Sequence, residues 1–177
     1  MVEYALEDDA NPRSYRRLIG GAILLRGDAL NHRDPTLTKQ APAVQDGEIY
    51  DRYRSTEKKG FGYAMLQLRE LALTADIATN NGFAVQGLPA YHVGEKDNRC
   101  LETAFNFYAD FLITGDATIK GGYYAGEKLS DINVQIYEVA RRHFPANQKI
   151  REVIATAKPV VYDPETFGAT ATVTHGA

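Results

Sequence analysis

The residues from Phe61 to Asn80 constrain this chain more than any others, because their apolar side chains recur at helical spacing for about five turns without a break. Phe61, Met65, Leu68, Ala72 and Ala75 mark one face, and Leu66, Leu73 and Ile77 mark another. A helix apolar on two sides is expected to lie sandwiched between layers. Asn80-Asn81-Gly82 supplies the left-handed stop that closes such a helix.

The remaining pattern is also helical. Asn11-Pro12 opens a first helix carrying Tyr15, Leu18, Ile19, Ala22, Ile23 and Leu25 as far as Gly27-Asp28. Asn98 is expected to cap a helix with Leu101, Ala104, Phe105, Tyr108 and Leu112, ending at Gly115. A further helix is expected from Leu129 to His143, with Leu129, Ile132, Ile136 and Ala140 inward and Pro145 as its stop. Asn147 caps a short last helix with Ile150, Val153, Ile154 and Ala157. The tail from 159 to 177 has strand-prone alternation and no helical signal, and Asp46-Gly47 marks a turn. The expectation is a single all-α domain over residues 1–177, with helices paired as antiparallel hairpins across long irregular loops. There is no βαβ alternation and no phosphate-cradling glycine motif.

Composition excludes several functions. A chain of 177 residues buries roughly 70% of its unfolded surface, enough for a real core. A net charge of −3 argues against general nucleic-acid binding, which needs a clustered basic excess. No run of eighteen apolar residues exists to span a membrane, and the acidic N-terminus MVEYALEDDANP lacks a secretion signal's basic-then-apolar order. Cys100 is the lone cysteine and sits among Leu101, Ala104 and Phe105, which fits a small buried hydrophobe rather than a nucleophile. His32, His92, His143 and His175 have no metal-ligand spacing, so no metal site is expected from them.

The stretch DGEIYDRYRSTEKKGFGYAM, Asp46 to Met65, is the candidate site. Arg52, Arg54, Lys58 and Lys59, with Tyr53 and Tyr63, read as a cleft edge for an anionic ligand. They read equally as a solvated loop, because Asp46, Glu48, Asp51 and Glu57 balance the four positive charges. His92, beside Tyr91 in a glycine-rich loop, is the better site candidate among the histidines; His143 at a helix end has a structural reading. Tyr123, in Gly121-Gly122-Tyr123-Tyr124, can stack on a sugar or simply pack. Glu127 and Lys128 read as the first turn of the helix that follows.

Three places together resemble the alginate lyase-type polysaccharide lyases. They are Asp46-Gly47, Ile49-Tyr50, Asp51-x-x-Arg54 and Tyr63-Ala64; the run LQLRELALTADIATNNG; and Phe144-Pro145 followed by Gly168, Thr170 and Thr172. The resemblance implies an incomplete toroid of helical hairpins, of which this chain is similar to the C-terminal part. It also implies an exported enzyme. Asp51 stands where the family usually has glutamate, and the family's Asn-Asn-His motif is absent: Asn80-Asn81 is followed by glycine.

A lyase of this kind removes the proton α to a uronate carboxylate and expels the O4 substituent. The developing charge needs cations or donors, and a base and an acid must reach the reacting atoms. Tyrosine, with an ordinary pKa near 10, does such work beside cations. The resemblance therefore casts Tyr63 as base and acid and Arg54 as the residue that holds the carboxylate or favours the phenolate, and it implies that no metal or organic cofactor is needed. Arg52, Tyr53, Lys58, Lys59, His92 and Tyr123 would bind an acidic polysaccharide. Without the missing motif the chain alone is expected to be weak, and its uncovered helix faces are expected to meet a second chain or copy. The rival reading is a non-catalytic all-α module that binds a glycan or protein through tyrosine-rich loops. A hydrolase with paired carboxylates fits less well, since Asp46, Glu48 and Asp51 share one loop with nothing to raise one pKa.

Overall fold

The computed structural model describes residues 22–28, 43–50, 52, 59–85, 87–132 and 134–156. The all-α expectation holds among them. Four helices run α1 Gly60–Asn80, α2 Leu101–Thr114, α3 Ile136–His143 and α4 Gln148–Thr156. The other regular structure is slight: antiparallel β1 Ala84–Val85 and β2 Leu88–Pro89, and single 3-10 turns at Ala90–His92, Glu95–Asp97 and Leu129–Asp131.

Helix α1 forms because its sequence is rich in Ala, Leu, Met, Gln and Glu, all strong helix formers. Its buried side chains include Phe61, Ala64, Met65, Leu68, Leu71, Ala72, Ala75 and Ala78, one stripe at spacings of three and four. Beyond Asn80 the chain makes a Schellman stop. Gly82 turns left-handed (φ 74°), its N–H reaches Thr79 O at 3.0 Å, and the Phe83 N–H reaches Ala78 O at 2.9 Å. The stripe packs on α2, α3 and the Ala90–His92 turn, and α4 packs on α2 and α3. At its start Phe61 meets Tyr108, Phe111 and Tyr124 edge-on, with ring centroids 5.3, 5.4 and 5.3 Å apart.

The second apolar face of α1 is not covered as the sequence predicts. Leu73 is half-buried, but Leu66 is 41% and Ile77 63% exposed. Periodicity shows which faces are apolar; it carries nothing about which neighbour arrives to cover them.

Three helix boundaries also differ from expectation. The first helix was expected to run through Leu25, yet Ile23 forms an antiparallel bridge with Ile49, and Leu24 exchanges hydrogen bonds with Glu48 O (2.7 Å) and Gly47 N (2.9 Å). Its earlier residues lie outside the described ones. Asn98 does not cap α2: it is left-handed (φ 58°) at the end of the Glu95–Asp97 turn, and Cys100, buried, precedes the helix. Leu129 to His143 is not one helix; only the turn at Leu129–Asp131 and α3 form. Asn147 does cap α4, its Oδ1 accepting the Ile150 N–H at 3.1 Å. The tail from 159 to 177 lies outside the described residues.

Candidate functional site

A groove opens at the N-terminal end of α1. Its first turns present Gly62, Tyr63 and Leu66, Lys59 precedes them, and Gly126, Glu127, Lys128 and Ile132 form the opposite wall. The groove holds about 660 Å³, within the range of small-molecule sites. Leu66 and Ile132 supply apolar surface; Lys59 and Lys128 are exposed and Tyr63 is half-buried.

The two walls are fastened by one carboxylate. Glu127 accepts the Gly60 N–H at 3.1 Å and the Phe61 N–H at 2.8 Å, satisfying two of the donors that a helix start leaves unpaired. Its negative charge also suits the positive end of the helix dipole. Burial pushes the Glu127 carboxyl up, against the two backbone hydrogen bonds that pull it down.

The glycine-rich stretch before it is structural. Gly121, Gly122 and Gly126 all have positive φ, and the turns they make send Tyr124 inward, where it is fully buried beside Tyr108 with the hydroxyls 3.3 Å apart. Tyr108 in turn accepts the Ile49 N–H at 2.9 Å, which docks the 43–50 segment on α2. Gln45 Nε2 donates to Lys120 O at 2.6 Å and adds a second tie.

The residues singled out from sequence fall in three places. Tyr63 and Lys59 line the groove. Arg52 and Tyr123 meet each other instead: the guanidinium lies 4.3 Å from the Tyr123 ring centroid and 3.4 Å from Glu48, and both Arg52 and Glu48 are buried. Neither lines the groove. His92 pairs with Glu95 and lies edge-on to Phe144 at 5.5 Å. Phe144 follows His143, which bonds Asp76 on α1. Asp76 is about 20 Å along the helix axis from Tyr63, so His92 and His143 gather at the far end. Arg54, Tyr53, Lys58 and Asp51 lie outside the described residues.

Sequence reasoning missed Glu127 and Lys128 as groove residues. They start no α-helix, and Glu127 instead caps α1 across 67 positions of sequence. No local spacing encodes such a contact; only the glycine cluster before it signals an unusual loop.

Among the described residues there is no group of three or more His, Cys, Asp or Glu side chains able to hold a metal ion, and no helix long and apolar enough to cross a membrane. The groove therefore offers cations, a phenol, a fixed carboxylate and an apolar floor, a set suited to an anionic ligand with a hydrophobic face. Comparison with family models, curated proteins and solved structures finds no match for the chain.

Proposed function

We propose that the groove binds a uronate-containing acidic polysaccharide of the alginate type and that Tyr63 transfers the proton in its cleavage by β-elimination. The observation that carries this reading is that Tyr63, Lys59 and Lys128 line one groove together with apolar Leu66 and Ile132. A pyranose ring has apolar C–H faces as well as hydroxyls and, here, a carboxylate. The lysines would neutralise that carboxylate as negative charge develops on it. Tyr63, acting as the phenolate, would take the C5 proton. The C5–H electron pair becomes the C4–C5 double bond as the C4–O4 bond breaks, and Tyr63 returns the proton to the departing oxygen. The helical layers would then form part of a toroid.

The test is ultraviolet absorbance of the unsaturated product, which conjugates its double bond with the carboxylate. The chain is offered alginate, polyglucuronate and hyaluronate, beside Tyr63→Phe. Product from the wild type and none from the folded variant supports the reading. Binding of alginate without product from the wild type rejects catalysis.

The exposed Leu66 and Ile77 on α1 fit a part-toroid that associates through uncovered helix faces. The rival, a self-contained non-catalytic binding module, expects no product and a monomeric solution mass.

A further inference from the structure

We infer that Glu127 is the residue by which the groove discriminates among polyanions, admitting a polymer with one carboxylate per sugar and disfavouring one with dense sulfate. The inference rests on the polysaccharide reading above and deepens it.

Among the described residues, the charged side chains that line the groove are two lysines and one glutamate. The three are not equivalent. Lys59 and Lys128 are exposed and can follow a ligand. Glu127 cannot turn away, because each carboxylate oxygen is held by a backbone N–H at the start of α1. It is thus a fixed negative charge in the wall of a cation-rimmed groove. A single carboxylate can be placed against the lysines and away from it. A ligand carrying several closely spaced sulfates must bring some of them near it, and like charges a few ångströms apart repel even in a well-solvated groove. The spacing of negative charge along the polymer, rather than its total, is what the wall reads.

The experiment compares alginate oligomers, dextran sulfate and uncharged dextran by isothermal titration with the full chain and with Glu127→Gln. Glutamine keeps one acceptor for α1 while removing the charge. The expected result is that Glu127→Gln strengthens dextran sulfate binding roughly threefold to tenfold more than alginate binding, and that the gain disappears at about 1 M salt. Leu66→Glu beside Leu66→Gln provides a second route if Glu127→Gln fails to fold: a second negative charge in the groove, with both lysines kept, should weaken dextran sulfate more than alginate. If the wild type binds neither acidic polymer, the polysaccharide reading itself has failed. If it binds alginate and the variants shift both polymers equally or not at all, that reading stands and Glu127 is not the discriminating residue.

Discussion

The imidazole of His143 lies flat on the ring of Tyr91, with centroids 3.6 Å apart and planes within 8°. His143 Nε2 also meets Asp76 Oδ1 at 3.1 Å, so one side chain at the end of α3 ties the Ala90–His92 turn to α1. Burial lowers the His143 pKa, Arg142 and His92 lower it further, and Asp76 opposes them without prevailing. The folded state therefore takes up a proton less readily than the unfolded chain. This contribution to stability is full above about 6.5, the ordinary histidine value, and is lost as pH falls through the lower folded pKa. Thermal unfolding from pH 7.5 to 5.5 should show a falling midpoint for the wild type. His143→Gln keeps a donor for Asp76 and should flatten that slope. An equal slope in both proteins would remove His143 as its source.

Gly47 carries a different prediction. Its φ is +91°, and a Cβ there would collide with the Thr103 carbonyl oxygen and stand 2.9 Å from Phe107 Cβ on α2. The neighbours are backbone and the root of a side chain, so neither can swing aside. Gly47→Ala should combine left-handed strain with overpacking and destabilise by roughly 2–4 kcal/mol. Gly82→Ala is the control: φ is +74°, nothing lies within 4 Å of the added methyl, and about 1 kcal/mol is expected. Urea unfolding of the two variants checks the difference; equal losses would mean that the α2 contact yields.

These sites show how far the sequence could be read. Asp46-Gly47 was legible as a turn, α1 and its glycine stop were legible from period and capping, and so was Asn147, because each depends on residues within about one helical turn. What was not legible depends on contacts between distant residues. The bridge from Ile23 to Ile49 overrides a helical period. Glu127 leaves its expected helix to cap α1. The same holds at the site. Tyr63 and Lys59 were singled out within the charged, tyrosine-bearing stretch that leads into a strong helix, whereas Lys128 joins them only through the Glu127 contact.

Arg52 gives the sharpest separation between a binding role and a structural one. It is 1% exposed, and it shares its burial with Glu48, whose carboxyl is pushed up by desolvation while Arg52 opposes that shift. Glu48 also accepts the Gln45 N–H at 2.9 Å, so its position is fixed from a second side. Removing the guanidinium alone would strand a buried carboxylate, a change that typically destabilises by about 3–5 kcal/mol. Arg52→Met should therefore unfold at much lower urea at neutral pH. A carboxyl whose folded pKa is raised contributes stability below its ordinary value of 4.5 and loses it as pH rises through the folded value. The variant should accordingly recover part of its loss on acidification, toward the pH at which Glu48 takes up a proton. Glu48→Gln combined with Arg52→Met should recover most of it at neutral pH, since no charge is then left uncompensated. A residue whose role was only to touch ligand would behave otherwise: Arg52→Met would leave the urea midpoint where it is and weaken binding of an acidic glycan alone.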